Sequence, residues 1–204
     1  MNVAEYKTKM FEIANRYDKR ARGAKYIRQW EIHYPEKEYM VKKAEEFGML
    51  KDVKTAVDVG TGVGMLPYLL MQKGIHVEAT DVDEEQTGPM YKQCCDIINL
   101  KRHHLWIDNG KPMDFPGKYD LFIATRTVFD RECLKPGELF DWKFYVKFYE
   151  DLSHLHFALA KSFYDQKNDE KFVHHTLKAN DIKFKTFKNY NFELEKDQFE
   201  QIKK

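Results

Sequence analysis

The chain has 204 residues, which is long enough for one domain with a sizeable core. Its 34 basic and 33 acidic side chains leave a formal charge of +1, and this balance argues against a dedicated nucleic-acid-binding protein, since phosphate binding usually needs a basic excess. No apolar run approaches the roughly 18 residues that a membrane-spanning helix requires, and the N-terminal residues lack the apolar core of a signal peptide, so we expect a cytoplasmic protein.

The N-terminal segment, residues 1–34, mixes basic and aromatic side chains and predicts one or two helices that lie across the main domain. Pro35 is expected to end this segment. A further helix is predicted at Glu36–Gly48, because its apolar residues fall on one helical face. We therefore expect the whole chain to form a single domain, with an N-terminal helical cap at residues 1–35 and a core at residues 36–204.

Strands and helices alternate through the predicted core. Apolar, β-branched runs indicate strands, and apolar stripes with a period near 3.6 residues indicate helices. The predicted strands are Thr55–Val59, His76–Thr80, Leu105–Ile107, Tyr119–Ala124, His156–Ala160, Ile182–Phe187 and Phe192–Glu195. The predicted helices are Met65–Lys73, Gln86–Asn99, Trp142–Leu155 and Glu170–Ala179. This order predicts an α/β fold with a doubly wound, mostly parallel sheet, helices on both faces and a C-terminal antiparallel hairpin.

Three glycines at alternate positions follow the first predicted strand, in the sequence AVDVGTGVGM at residues 56–65. A strand, a glycine-rich turn and a helix bring backbone N–H groups and a helix N-terminus to one point, which is the geometry of nucleotide sites in open α/β sheets. We expect Gly60 to allow a sharp turn and Gly62 to let a ligand approach the backbone. Gly64 is expected to let the helix pack closely on the strand.

The spacing of these glycines narrows the choice of nucleotide. A dinucleotide-binding fingerprint needs G-x-G-x-x-G, and Met65 stands where its third glycine should be. A P-loop needs Gly-Lys-Ser/Thr, which the chain lacks. Asp81 follows the second predicted strand, where a carboxylate accepts hydrogen bonds from ribose hydroxyls in dinucleotide enzymes. The alternative for Asp81 is a solvated loop carboxylate.

At these motifs the chain resembles the class I S-adenosylmethionine-dependent methyltransferases, a Rossmann-like family. VDVGTGVG is similar to the first motif of that family, EATDVDE to its second, ribose-binding motif, and WIDNGKPMDFPGKYDLFIATRTVFD to its third and fourth motifs. The resemblance covers about residues 50–195. It implies an enzyme with S-adenosylmethionine as cofactor, S-adenosylhomocysteine as product and a seven-stranded sheet.

The resemblance also implies which residues would contact the cofactor. Asp58 would lie near the methionyl part, and the glycine turn would line the cradle around the cofactor. Asp81 would hold the ribose, and Asp108 would face the adenine amino group. The full implied set is Asp58, Gly60, Thr61, Gly62, Gly64, Asp81, Val82, Asp108, Ala124 and Thr125.

The acceptor side of the site is predicted to follow the fourth strand. Methyl transfer from a sulfonium is an in-line displacement, so the protein mainly positions the acceptor and removes a proton where the acceptor carries one. Asp130 is a candidate base or orienting acceptor, and Arg126 or Arg131 would clamp an acidic substrate. The alternative for Asp130 and Arg131 is a loop ion pair or a helix cap.

Three aromatic residues of the N-terminal segment, Tyr17, Tyr26 and Trp30, are candidate substrate-binding walls if that segment closes over the site. An aromatic wall beside the sulfonium would also favour its positive charge. The alternative is an amphipathic helix that docks on the sheet and leaves its charges in water.

The class of acceptor is narrowed by what the motifs lack. Residues 124–127 read ATRT, which differs from the pattern of adenine-amino methyltransferases, and no Pro-Cys pair supplies the nucleophile of cytosine C5 enzymes. We expect a small-molecule acceptor, with small anions as the first candidates. The alternatives are an RNA methyltransferase that uses the basic N-terminal face and a non-catalytic nucleotide-binding module. Met65 disfavours an NAD-dependent oxidoreductase.

Cysteine and histidine positions predict neither a disulfide framework nor a metal site. Cys94 and Cys95 are adjacent, Cys133 stands apart, and no Cys-x-x-Cys pair exists. The histidine doublets at residues 103–104 and 174–175 would point their side chains apart on a strand or a helix. The sequence leaves the oligomeric state open.

Overall fold

The computed structural model of the chain describes residues 1–46, 50–82, 88–104, 119–125, 153–161, 185–187 and 191–195. The chain divides into two compact units, one of residues 1–54 and 60–105 and the other of residues 55–59 and 106–204. The helices are α1 Val3–Ala14, α2 Arg22–Arg28, α3 Trp30–Glu46, α4 Met65–Gln72 and α5 Gly88–Asp96. The strands are β1 Thr55–Val59, β2 His76–Asp81, β3 Lys101–His104, β4 Tyr119–Thr125, β5 Ser153–Lys161, β6 Lys185–Phe187 and β7 Asn191–Glu195.

Helix α1 of the first unit is anchored by aromatic packing. Asn2 caps its N-terminus by accepting a hydrogen bond from the Glu5 N–H. Tyr6 is completely buried, stacks on Tyr68 of α4 at 4.0 Å between ring centroids, and meets the edge of Trp30 at 5.7 Å. Pairs of buried aromatic rings contribute about 0.5–1.5 kcal/mol beyond the area that they bury. The first helix is therefore built into the core of this unit.

Helix α3 runs from Trp30 to Glu46 through Pro35, so the prediction that Pro35 ends the N-terminal segment is wrong. A proline in a helix interior removes a backbone hydrogen bond and crowds the preceding turn, which costs about 3 kcal/mol. A continuous buried stripe offsets this cost, because each large apolar side chain that is fully buried contributes about 1.5–3 kcal/mol. The buried residues of the stripe are Trp30, Tyr34, Lys37, Met40, Val41 and Ala44.

Helix α2 packs against α5 through Gly23. A Cβ added at Gly23 would lie 1.9 Å from Cε of Met90 and 2.5 Å from a ring carbon of Tyr91. A larger residue at this position would require the side chains of Met90 and Tyr91 to shift. Strands β2 and β3 of the same unit pair in parallel, with Glu78 opposite Lys101 and Asp81 opposite His104.

The second unit contains the remaining strands. β1 pairs in parallel with β4, and β4 pairs in parallel with β5. β7 pairs antiparallel with β5 and with β6. At the start of β1, the Thr55 N–H and hydroxyl both donate to the Asp120 carboxylate at 2.9 Å, which ties the first residues of β1 to β4.

Parallel strands and helices confirm the predicted α/β class, with differences at particular elements. The third strand is Lys101–His104, just before the predicted Leu105–Ile107, which lies outside the described residues. β5 begins at Ser153, within the last residues of the predicted helix Trp142–Leu155. The rest of that helix and the predicted helix Glu170–Ala179 also lie outside the described residues. Within the part of the chain that the structure describes, no helix is both long and apolar enough to cross a bilayer.

Candidate functional site

The glycine turn, residues 60–64, follows β1 in the chain and leads into α4. Its three glycines have φ angles of +71°, +56° and +77° at Gly60, Gly62 and Gly64. This left-handed region is favourable for glycine and costs other residues roughly 1–2 kcal/mol. The alternation of glycines in the sequence therefore reflects a backbone that is left-handed at every second residue.

The backbone of the glycine turn is tied to the end of β2. The N–H groups of Gly60 and Thr61 both donate to the Thr80 carbonyl, at 2.9 and 3.1 Å. The Gly62 N–H donates to Oδ2 of Asp81 at 2.5 Å, and the Gly64 N–H donates to the Thr61 carbonyl at 3.1 Å. Most amides of the turn are thus engaged within the protein, and the turn is held in one shape.

Asp81, the last residue of β2, is held by two backbone amides. Oδ2 accepts from Gly62, and Oδ1 accepts from the N–H of Val82 at 2.8 Å. An ionised carboxylate accepts hydrogen bonds only, and these two amides fix its orientation. The structure brings together the first and second sequence motifs, which Gly62 and Asp81 represent.

Gly62 and Gly64 differ in what surrounds them. Among the described residues, a Cβ added at Gly62 would meet nothing within 4 Å, so these residues leave the space beside its Cα open. A Cβ added at Gly64 would contact Cys95, Leu100 and Ile98 at the ordinary distances of 3.6–3.7 Å. Gly64 is therefore required by its backbone angle. Its expected role in the packing of the helix on the strand stays a prediction. The openness at Gly62 agrees with the expected approach of a ligand.

Thr61 adds a buried hydroxyl to the turn. Its Oγ1 atom is shielded from solvent and has no hydrogen-bond partner among the described residues. A buried hydroxyl without a partner costs free energy, about 1–3 kcal/mol from mutational data. A polar ligand beside the turn would remove that cost.

Two carbonyl groups of the turn are contacted by side chains from other helices. The Tyr6 hydroxyl of α1 donates to the Val63 carbonyl at 3.5 Å, and burial raises the Tyr6 pKa well above its usual value, which keeps the hydroxyl protonated. The Cys95 thiol of α5 lies 3.8 Å from the Gly62 carbonyl. No sequence motif marks Tyr6, so its contact with the turn was not predicted.

The aromatic candidates of the N-terminal helices lie in different surroundings. The Tyr17 hydroxyl accepts a hydrogen bond from Gln93 of α5 at 2.8 Å. Tyr26 is half-buried and stacks on His33 at 3.8 Å. Trp30 is only 4% exposed and stacks on Tyr34 at 4.6 Å, so packing occupies its ring faces. Their predicted roles in substrate binding stay predictions.

The other predicted site residues belong to the second unit. Asp58 on β1 is 2% exposed and lies opposite Ile123 of β4, while Ala124 lies opposite Val59. Thr125 is the last residue of β4. The remaining predicted residues lie outside the described residues, and their roles stay predictions. They are Asp108, Arg126, Asp130 and Arg131.

Charged side chains also meet on β2 and β3. Glu78, which is 9% exposed, accepts from Lys101 Nζ and contacts Nε2 of His103, both at 2.8 Å. The negative charge of Glu78 is thus compensated within the cluster by the positive charge of Lys101. Among the described residues, no group of three or more His, Cys, Asp or Glu side chains is arranged to hold a metal ion.

Comparison with known proteins returns methyltransferases. No family model matches the chain. A ribosomal protein L11 methyltransferase from Campylobacter fetus subsp. fetus is 34% identical over 79 residues, which are 37% of this chain and 26% of that protein. The chain thus matches about a quarter of the length of this curated relative. The chain is thus similar to a methyltransferase, as its sequence motifs predicted.

Solved structures of this class are similar to the chain as well. A SAM-dependent methyltransferase from Aquifex aeolicus has a TM-score of 0.49 and 23% identity, over 74% of this chain and 85% of that one. An amino pentose methyltransferase from Micromonospora echinaspora, with S-adenosylmethionine bound, has a TM-score of 0.45 and 14% identity, over 62% and 50%. At these scores the likeness does not assign a reaction.

Proposed function

We propose that the protein is an S-adenosylmethionine-dependent methyltransferase that transfers a methyl group to a small-molecule acceptor. One observation carries the proposal: the glycine turn leaves open space at Gly62, and the same residue is hydrogen-bonded to Asp81 at the end of β2. A nucleoside placed there would meet exposed backbone and a fixed carboxylate together. The seven-stranded sheet with a C-terminal hairpin, the single domain and the cytoplasmic location belong to the same proposal.

The residues of the turn fit S-adenosylmethionine. The open side of Gly62 would accept the ligand's approach, and the buried Thr61 hydroxyl would gain a polar partner. Asp81 would accept the ribose hydroxyls while the amides of Gly62 and Val82 hold its carboxylate in place. By the resemblance, the set is completed by Asp58, Gly60, Gly64, Asp108, Ala124 and Thr125.

When bound, the cofactor supplies an activated methyl group on a sulfonium. The chain's own contribution is then to fix the cofactor's orientation, to exclude water and to align the acceptor in line with the methyl group. For an anionic acceptor, we propose that Arg126 or Arg131 binds the charge and that Asp130 accepts the proton that leaves.

The net charge of the chain and the names of similar proteins bear on the class of acceptor. The formal charge of +1 favours a small molecule over a polyanion. The similar proteins act on different substrates by their names, since one is a ribosomal protein L11 methyltransferase and another an amino pentose methyltransferase. A small anion that Arg126 or Arg131 clamps is therefore the first acceptor to test.

A matched pair of glycine variants tests cofactor binding. Gly62 and Gly74 both have positive φ, and a Cβ added at either would meet no atom of the described residues within 4 Å, but Gly74 follows α4, outside the turn. Alanine at either position incurs the same backbone strain of roughly 1–2 kcal/mol. Calorimetric titration with S-adenosylhomocysteine should give micromolar binding for the wild type and for Gly74→Ala. Gly62→Ala should weaken binding at least tenfold, about 1.4 kcal/mol.

Two results would contradict the proposal. A wild-type protein that prefers NAD, or binds neither nucleotide, would remove the methyltransferase assignment. Equal affinity in Gly62→Ala and Gly74→Ala would show that the open side of Gly62 is not where the ligand binds. Tight binding without turnover of any acceptor would favour the non-catalytic nucleotide-binding module.

RNA is the second candidate acceptor, because one exposed segment carries cations without ion pairs. We call this the basic segment: Arg16, Lys19, Arg20, Arg22 and Lys25. None of these forms an ion pair with another described residue. Other lysines of the first unit are paired with acids, namely Lys7, Lys9, Lys42, Lys73, Lys92 and Lys101. Unpaired cations beside the half-buried Tyr17 and Tyr26 are typical of surfaces that bind single-stranded nucleic acid.

Salt-dependent RNA binding separates the two acceptor classes. If RNA is the acceptor, anisotropy of a labelled RNA should show affinity falling steeply between about 50 and 200 mM salt. The double variant Arg20→Ala with Arg22→Ala should flatten that dependence. Lys92→Ala, which removes an exposed but paired lysine, is the control. Absence of binding at low salt would leave the small-molecule acceptor.

A further inference from the structure

The peptide groups of the glycine turn are fixed from both sides. In the peptide that joins Val63 and Gly64, the carbonyl accepts from Tyr6 and the N–H donates to the Thr61 carbonyl. In the peptide that joins Thr61 and Gly62, the N–H donates to Asp81. A rotation of either peptide would break bonds at both of its ends. The hydroxyl of Tyr6, which comes from a helix far away in sequence, is therefore one of the groups that hold the turn, across a long hydrogen bond of 3.5 Å.

The surroundings of Tyr6 make it a rigid donor. Its side chain is completely buried between Trp30 and Tyr68, which leaves the ring no freedom to turn away. Tyr68 lies on α4, the helix that begins at the turn, and its own hydroxyl donates to the Met1 carbonyl at 3.2 Å. Helix α1 is thus linked to the turn by Tyr6 and to α4 by two tyrosines.

We propose that Tyr6 is a positioning residue for the cofactor, and that it acts by holding the Val63 carbonyl and so the shape of the glycine turn. This inference rests on the proposed cofactor site at that turn. Tyr6 does not touch the ligand in this scheme. Its hydroxyl fixes the backbone beside Gly62, so that the open side of Gly62 and the Asp81 carboxylate keep their relative positions.

The chain offers a matched control for this inference. Tyr34 belongs to the same aromatic cluster, is 5% exposed and stacks on Trp30. Its hydroxyl is buried and has no hydrogen-bond partner within the described part of the chain. Tyr6→Phe and Tyr34→Phe therefore each remove one buried hydroxyl from one cluster, but only Tyr6→Phe removes a bond to the turn.

Two readouts test the role of Tyr6. Calorimetry with S-adenosylhomocysteine should give a Kd for Tyr6→Phe that is roughly threefold to tenfold above the wild-type value, as expected for loss of one neutral hydrogen bond. Tyr34→Phe should keep the wild-type Kd. Amide hydrogen exchange of the ligand-free protein should be faster at residues 62–64 in Tyr6→Phe alone. Thermal unfolding of both variants checks that each is folded.

The outcomes separate this inference from the proposed function. If the wild type binds no S-adenosylhomocysteine, the proposed function fails, and the exchange rates of the turn still decide whether Tyr6 holds it. Unchanged exchange at residues 62–64 in Tyr6→Phe would overturn the inference. The same would follow if Tyr6→Phe and Tyr34→Phe bound the ligand with equal affinity.

Discussion

The glycine turn and the N-terminal helices are neighbours in one unit, yet they are held by different kinds of interaction. In the turn, backbone hydrogen bonds to Thr80 and Asp81 fix a left-handed conformation, and space is left open at Gly62. In α1–α3, buried aromatic rings around Trp30 fill the interior, and a Cβ at Gly23 would displace the side chains of Met90 and Tyr91. One region is specified by backbone angles and the other by packing.

This difference predicts how the two regions respond to substitution. A change in the turn should alter ligand affinity as well as stability, because a side chain at positive φ adds backbone strain beside the ligand. A change among the helices should alter stability more than affinity, because close-packed interiors tolerate little extra volume. The Tyr6 hydroxyl is the exception, since it belongs to the packed region and acts on the turn.

The largest expected effect in the helices is that of Gly23→Ala. The new methyl group would overlap Met90 and Tyr91, so we expect a loss of about 2–3 kcal/mol in the free energy of unfolding. Urea denaturation followed by circular dichroism measures it. Gly74→Ala adds a Cβ in space that the described residues leave open, and should lose only the roughly 1–2 kcal/mol of backbone strain at its positive φ. The affinity of the folded fraction for S-adenosylhomocysteine should not change. A free energy of unfolding within about 0.5 kcal/mol of the wild-type value would contradict the view that close packing specifies the helices.

Pro35→Ala should act in the opposite direction. Alanine restores the backbone N–H that α3 lacks at this position, and part of the gain is offset because the unfolded chain becomes more flexible. The expected net change is a stabilisation of about 1 kcal/mol by urea denaturation, with the ligand Kd unaltered. A destabilised variant would mean that the α3 stripe depends on the proline ring for packing.

The smallest expected effect concerns the Cys94 thiol, whose labelling tests whether α5 stays packed. Burial raises the pKa of its thiol to about 12, so almost none of it is ionised at neutral pH. An exposed thiol has a pKa of about 8.5 and would be labelled faster as the pH rises from about 7 to 9. Peptide mapping after alkylation should show Cys94 unlabelled and insensitive to pH over that range in the folded protein. Rapid labelling of Cys94 would show that α5 opens readily.

The glycine turn was predictable because left-handed angles restrict the residue type, and this leaves a pattern in the sequence. Asp81 was predictable for a similar reason, since it stands at the end of an apolar strand. The positive φ of Gly64 is a requirement for glycine that the prediction of close packing did not include. The roles of Asp81 and Gly64 toward a ligand stay predictions.

The packing of the helices and of β3, unlike the glycine turn, is not marked by a residue pattern in the sequence. A proline often ends a helix, but α3 continues through Pro35 because the residues from Trp30 to Ala44 form a buried stripe. β3 has the sequence KRHH, without an apolar run, and forms because it pairs with β2, where Lys101 and His103 meet the Glu78 carboxylate. Nothing local distinguishes Tyr6 from the other tyrosines of the chain.

The double anchoring of the Asp81 carboxylate has a kinetic consequence. The Asp81 carboxylate, which we propose accepts from the ribose, is ordered by Gly62 and Val82 without a ligand, so binding would not have to freeze this side chain. If the proposed role of Asp81 holds, encounter with the nucleoside would need no prior rearrangement at this carboxylate, and the association rate would be limited by diffusion and orientation. Differences in affinity between variants of the turn will then lie mainly in the residence time of the bound nucleoside.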